Sequence, residues 1–409
     1  MAVPESGAAP VGLNPFAPGF FADPYGQYAR LRTLEPVHQS PFGPWMLTRY
    51  DDCVRLLRNP AVSVEDRNAG VDRKARLFGD HDPRRARGES AILNLDPPDH
   101  TRIRRLAGKA FTPRRVEALI PRIEAQVAAV FDRVAPTGGM DVIADLAFPL
   151  PFAVISEMLG IPTDDSDRMR DVSHTLVRTL EPLTSPDDIP ALLAASDAMY
   201  GFVEEMIRWK REHPADDLLT ALIEVRDGGD ALSHEELHDQ VALLYVAGHE
   251  TTVNLIGNGM LSLLRHPDQL ARLRNDPALV VNAVEELLRF DGPVQFSRRI
   301  TLDDFEIDGV TIPAGSFVFT VLGAANRDRA HFGADADTLD LTRRNAAQHL
   351  SFGGGIHHCL GAVLARAEAR AAIGGLVGRF PGVELATDAP AWNGRLVLRG
   401  LDALPVTLG

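Results

Sequence analysis

The chain has 409 residues, 45% of them hydrophobic, and a formal net charge of −14 from 56 acidic against 42 basic side chains. That acidic balance argues against nucleic acid as the main partner, because binding phosphate needs a basic field. Cys53 and Cys359 are the 2 cysteines, too few for a disulfide scaffold, so a reducing, cytoplasmic setting is expected.

In chain order, residues 1–24 are rich in Pro, Gly and Ala with no basic segment leading into an apolar core, so no signal peptide or membrane anchor is expected. Apolar periodicity predicts helices over 26–34 and 50–58, with extended chain from Val37 to Leu47 between them. Cys53 falls within the second helix and reads as a small core residue. Residues 70–90 are crowded with charge and glycine and read as a mobile surface loop. Helices follow over 100–111, 114–133, 145–159 and 190–212. On the first of these, His100 and Arg104 lie one turn apart and can converge on one target.

The helix predicted over 234–265 is apolar almost throughout, except for Ala247-Gly248-His249-Glu250-Thr251-Thr252 and Asn254 at its middle. Such polar groups at the centre of a bilayer are costly, so this is a helix crossing a protein core. Small Ala247 and Gly248 would let a ligand approach the backbone. A Thr hydroxyl bonded back to a carbonyl can open the local ladder, and such irregularities often serve function. Glu250 followed by Thr251 joins an acid to an alcohol, the parts of a proton relay.

Helices over 267–274 and 277–290 come next, the second placing Glu286 and Arg289 on one face. Short strands are predicted at 298–300, 305–307, 316–321 and 396–398, with turns at Asp308-Gly309 and Pro313-Ala314-Gly315. Before a final helix at 360–379 runs Phe352-Gly353-Gly354-Gly355-Ile356-His357-His358-Cys359-Leu360-Gly361. Cys359 thus sits near a helix N-terminus, where backbone N–H groups favour thiolate. The glycines let the backbone come close to a flat ligand whose edge Phe352 could meet. The pattern predicts a mainly α fold with small β-sheets. No linker, repeat or low-complexity tract divides the chain, so one domain over 1–409 is expected.

The run ending in Gly361 resembles the cytochrome P450 signature Phe-x-x-Gly-x-x-x-Cys-x-Gly at every fixed position. Ala247 to Thr252 resembles that family's oxygen-activation motif, Glu286 to Arg289 its Glu-x-x-Arg motif, and Asp96 to Leu106 its propionate-binding helix. The resemblance implies the cytochrome P450 fold, with haem b between the long central helix and the cysteine-loop helix and Cys359 as axial iron ligand. It also implies Phe352, Gly353, Gly361, Ala247 and Gly248 around the haem, and His100, Arg104, Arg299 and His357 at its propionates. Arg102, Arg105 and Arg298 read as surface cations. Thr251 would hold an oxygen-bound water network, Glu250 would supply protons, and His249 would face away from iron. Glu286, Arg289 and Arg343 would lock the core, with Leu339 standing where the family often has Phe. Ile92, Leu93, Val246, Val294, Gln295, Phe296, Val397 and Leu398 are the expected substrate contacts, Gln295 being the polar group among apolar ones.

The implied activity is insertion of one oxygen atom from O2 into an apolar small molecule, by hydroxylation or epoxidation. A macrolide or other polyketide is the leading substrate class, with steroids and terpenoids behind it. Too little chain follows the last helix for a fused reductase. Electrons are therefore expected from a ferredoxin and a NAD(P)H-dependent ferredoxin reductase, docking on a basic surface of Arg102, Arg105, Lys109, Arg114 and Arg115. A monomer without membrane contact is expected. Two other readings keep Cys359 as haem ligand. A peroxygenase would lack the Glu250-Thr251 pair, and a non-catalytic sensor would not need it. A zinc site of His357, His358 and Cys359 stands last, because adjacent residues do not easily converge on one tetrahedral ion; zinc without iron in the protein would restore it.

Overall fold

The computed structural model describes residues 12–71, 82–161, 166–182 and 185–409. Its axis is the helix His234–Leu264, started by a capping box in which the Ser233 hydroxyl accepts from Glu236 N and the Glu236 carboxylate accepts from Ser233 N. Apolar side chains such as Tyr245, Leu255, Ile256, Met260 and Leu263 are buried around it, the mark of a helix inside a core. The helices Pro149–Leu159, Val280–Asp291 and Ala362–Ala369 pack against it.

Two glycines let neighbours press close. A Cβ on Gly257 would stand 2.6 Å from Ile143 Cδ1, and one on Gly259 3.0 Å from Ile373 Cδ1. Ile143 and Ile373 belong to the π-helical turns Val142–Ala147 and Arg370–Gly374. The long helix itself is unbroken. The irregularity expected at its centre therefore sits in two neighbours that meet its glycine face.

The strands are β1 (Val37–Gln39), β2 (Trp45–Leu47), β3 (Val62–Ser63), β4 (Gly139–Asp141), β5 (Phe296–Thr301), β6 (Phe305–Ile307), β7 (Val310–Ile312), β8 (Phe317–Val321), β9 (Glu384–Leu385) and β10 (Pro405–Thr407). The largest sheet has the order β1-β2-β8-β5-β3, with β2 and β8 parallel. β4, β10 and β9 form a second sheet, and β6 with β7 a hairpin. Cys53 is buried beside the first sheet, its thiol 3.3 Å from Leu47 O.

Three expectations change. Residues 396–398 make only an isolated bridge, Val294 to Leu398, because Glu181 takes the N–H groups of Leu396 and Val397 at 2.9 and 3.0 Å. Helices form at Ser166–Leu176 and Leu218–Glu224, where none was expected; Asp217 caps the second by accepting from Thr220 N. In the segment read as mobile, residues 72–81 lie outside the described ones. Its end is fixed: Ser90 N donates to Asp239, and Gln240 donates to Ser90 O at 2.6 Å. Among the described residues one stretch, Val142–Leu159, is long and apolar enough to cross a membrane, yet 67% of it is buried inside the protein.

Candidate haem and oxygen site

The cysteine loop is seated before it is closed. Ser351 Oγ donates to Leu288 O at 2.6 Å and Leu350 N to Asn326 Oδ1 at 2.7 Å, fixing the incoming arm. Gly353 and Gly355 have φ of +72° and +67°. A Cβ on Gly355 would lie 2.2 Å from Leu57 O, so this position admits only glycine. Cys359 N donates to Phe352 O at 3.0 Å, and Gly361 caps the helix Ala362–Ala369. Water reaches Cys359, but protein surrounds its sulfur closely enough that burial pushes the thiol up. A hydrogen bond from the Gly361 backbone and the Arg104 and Arg366 charges oppose that rise. Burial thus outweighs the helix start that was expected to favour thiolate.

Beside the loop the predicted basic residues meet. The His100 and His357 rings are 4.4 Å apart between centroids, and Arg104 donates to His358 O at 2.7 Å. Burial, then the charges of Arg299, His100 and Arg104, drive His357 down to about 3. Arg299 is buried and bonds only Ser297 Oγ and Arg298 O, with no carboxylate in ion-pair range among the described residues; burial lowers it to about 10. His100 is buried with neither ring nitrogen hydrogen-bonded. Such a set is costly unless anions complete it, and two carboxylates on one flat ligand suit it.

The three nearby arginines read as surface cations are all paired. Arg298 binds Asp66 and Val64 O, tying β5 to residues 64–66. Arg102 binds Glu236 and Asp230, and Arg105 binds Asp227 and Asp230. Lys109 reaches Asp227 at 2.7 Å and Arg115 reaches Asp216 at 2.9 Å. The expected basic docking surface is therefore largely neutralised by acids between Asp216 and Glu236.

At the centre of the long helix, Leu243, Ala247 and Thr251 are spaced four apart and keep accessible surface, with Ala247 the most exposed of residues 241–251, before the helix is wholly buried from Thr252 to Leu263. Thr251 Oγ1 donates to Ala247 O at 3.0 Å. Gly248 does not share that face: its Cβ would stand 3.3 Å from Ile155 Cδ1, so its smallness serves helix packing instead of a ligand. His249 also turns away, its Nε2 3.3 Å from Phe148 O and its ring edge-on to Phe148 and Phe152.

Glu250 is buried, with Arg395 at 2.5 Å, His174 at 3.3 Å and His249 at 3.9 Å. Burial would raise its acid, but the His174 hydrogen bond and the Arg395, His174 and His249 charges more than offset this and hold it at about 2. It is an ionised carboxylate at neutral pH. Arg395 also donates to His174 O at 2.9 Å. Both partners line a polar cavity of about 370 Å³ with Thr175, Arg178, Asn393 and Asp402.

Glu286 accepts from Arg289 twice at 2.7 Å, from Arg343 at 3.2 Å and from Asp340 N at 3.0 Å, and Leu339 is buried nearby in sequence. Among the substrate candidates, Val246, Val294, Val397 and Leu398 share one apolar cluster. Phe296 is in its interior, edge-on to Tyr28 and Phe319. Ile92 N donates to Gln240 and its backbone bonds His357, while Leu93 is exposed. Gln295 is the exception: its amide nitrogen donates to Gly292 O at 2.7 Å and the side chain packs on Gly323, while its buried Oε1 has no hydrogen-bond partner among the described residues. The sequence missed Arg395 and His174 at Glu250, and Glu285, His349 and Arg366 behind the cysteine loop. Their partners lie far apart in the chain, and the one local hint was a second glutamate beside Glu286.

The family model described as Cytochrome P450 matches residues 66–388. Cytochrome P450 107B1 of Saccharopolyspora erythraea is 44% identical over 413 residues, covering 97% of this chain and 98% of the relative. The 6-deoxyerythronolide B hydroxylase of the same organism is 38% identical, covering 95% of this chain and 97% of the relative. The solved structure of P450BioI, in complex with an acyl carrier protein ligated to hexadec-9Z-enoic acid, superposes with a TM-score of 0.88 at 36% identity, over 95% of this chain and 99% of that one. With the cysteine loop, the basic cluster and the accessible helix face assembled as they are, these relations show that the chain belongs to the cytochrome P450 family of haem b monooxygenases.

Proposed function

We propose that this enzyme is a ferredoxin-dependent hydroxylase or epoxidase of a large apolar secondary metabolite, with a macrolide-like polyketide as its substrate class. The observation that carries this reading is the convergence of His100, Arg104, Arg299 and His357 beside the Cys359 loop, with both ring nitrogens of the buried His100 unpaired. Cys359 would supply the thiolate that holds the iron and the four basic residues would neutralise the propionates. Phe352, Gly353 and Gly361 would border the haem on the cysteine side, Ala247 and Thr251 on the other. When bound, haem supplies activation of O2 and insertion of one of its atoms into a C–H bond or alkene.

The chain's own residues would manage protons, water and substrate. Thr251 spends its hydroxyl proton on Ala247 O, leaving its lone pairs to accept from water on the accessible face. Glu250, pinned ionised by Arg395 and held by His174, would order the water that links Thr251 to the solvated cavity behind it. Val246, Val294, Val397 and Leu398 would give the substrate an apolar wall, which suits a macrolactone ring better than a polar metabolite. That a relative acts on 6-deoxyerythronolide B supports the substrate class. The continuous packing of the long helix with elements from both halves supports one domain, and the reduced cysteines support a cytoplasmic location.

The test is an absorption spectrum, ferric and then reduced under carbon monoxide. A strongly red-shifted Soret band that is lost in Cys359→His is expected; a protein that binds no haem would overturn the reading. Thr251→Ala should then divert reducing equivalents from product to peroxide. Unchanged coupling in that variant would favour a sensor or peroxygenase.

A further inference from the structure

Two adjacent glutamates on the helix Val280–Asp291 point to different tasks. Glu286 is consumed by Arg289 and Arg343. Glu285, also buried, meets the chain on both sides of Cys359: His349 in the incoming arm at 3.3 Å, and Arg366 on the outgoing helix through two bonds of 2.7 and 2.9 Å. The His349 Nδ1 accepts from Ser351 N at 3.1 Å, so its Nε2 carries the proton donated to Glu285. Held by this fork, the Arg366 guanidinium lies 4.4 Å from the Phe352 ring centre, and the His349 ring is 5.5 Å from the same ring. A bidentate guanidinium–carboxylate pair fixes orientation as well as distance, and a flat cation on an aromatic face is a directed contact.

We propose that Glu285 and Arg366 are positioning residues that set the electron donation of Cys359, by holding one cation over Phe352 beside the sulfur. Nothing in the signature motifs requires that role, and it rests on Cys359 being the haem thiolate. Arg104 is fixed by the carbonyl of His358, the residue before Cys359, and Arg366 is fixed by Glu285 over Phe352, whose carbonyl accepts from Cys359 N at 3.0 Å. A cation near the thiolate favours the reduced, more negative state of the bound group, so it raises the midpoint potential. Burial alone would raise the Glu285 acid, and the His349 and Arg366 bonds hold it at about 2, so the clamp is charged at neutral pH.

The test compares haem-loaded wild type with Arg366→Gln, Arg366→Lys, Glu285→Gln and Glu285→Asp by spectroelectrochemical titration and by the reduced carbon monoxide spectrum. Arg366→Gln should lower the midpoint. Glu285→Gln should lower it too, because the released guanidinium swings into solvent. A simple field effect predicts the reverse for Glu285→Gln, since a negative charge is removed. Arg366→Lys and Glu285→Asp keep the charges but not the flat fork, and smaller shifts in the same direction are expected. They decide the matter if the larger changes prevent folding. Opposite signs, or unchanged midpoints in variants that retain the red-shifted Soret band, would overturn the proposal, as would lost thermal stability without a potential shift. A wild type lacking that band would instead sink the haem-thiolate assignment beneath it.

Discussion

The pair Glu250 and Arg395 joins residues 145 positions apart, both almost wholly buried. Removing one member of such a pair leaves an uncompensated charge, so Arg395→Gln should cost about 3–5 kcal/mol in denaturant unfolding. The double variant with Glu250→Gln should recover part of that loss. Because Glu250 is held at about 2, its stabilisation is complete above the ordinary carboxylate value of 4.5 and is lost as pH falls from there through about 2. His249 acts in a higher window. Burial lowers it from 6.5 to about 4, so the unfolded chain takes up a proton before the folded one and stability declines as pH falls from 6.5 towards 4. At about 1.4 kcal/mol per pH unit this approaches 2 kcal/mol between pH 6.5 and 5, and His249→Gln should flatten that limb of a stability-against-pH curve. Cys359, Glu250 and Thr251 were legible because each stands in a dense local pattern. Arg395 was not, because no pattern in Asn393-Gly394-Arg395 points to a helix far back in the chain.

Among the elements, the long helix is readable from its hydrophobicity and polar centre, but its shape depends on what presses against it. The π-helical turns at Val142–Ala147 and Arg370–Gly374 are set by fit to Gly257 and Gly259, a matter of side-chain volume between distant segments. Gly257→Ala should therefore cost about 1–3 kcal/mol, since the displaced atom is the end of the Ile143 side chain and can move partly aside. Gly355→Ala meets a backbone oxygen at a left-handed position and has no such escape. Its expected outcome is a smaller fraction of protein giving the red-shifted carbon monoxide band at equal expression. Residues 396–398 look like a strand because their composition suits one, yet the Glu181 carboxylate takes the hydrogen bonds a neighbour would have made. Local propensity cannot foresee a side chain standing in for a strand.

For the whole molecule, the fold was legible because its motifs are spread from His100 to Cys359 and fall in one order. The surface was not, because charge neighbours on a folded surface do not follow chain neighbours. Arg102, Arg105 and Lys109 form a basic stripe in sequence and a mixed ion-pair network in space. Lys109→Glu should accordingly leave the rate of ferredoxin-dependent reduction unchanged in stopped-flow measurements, while a selective slowing would restore this face as the docking site. The same dispersal has a consequence during synthesis. The cluster that receives the propionates includes His100, but the sulfur beside it arrives with Cys359, and ribosomes add roughly 5–20 residues per second. For about 13–50 s the nascent chain carries His100 without the sulfur it will sit beside. Cofactor capture is thus a late event, and until it occurs the apolar flanks of the helix His234–Leu264 lack a finished core to bury them.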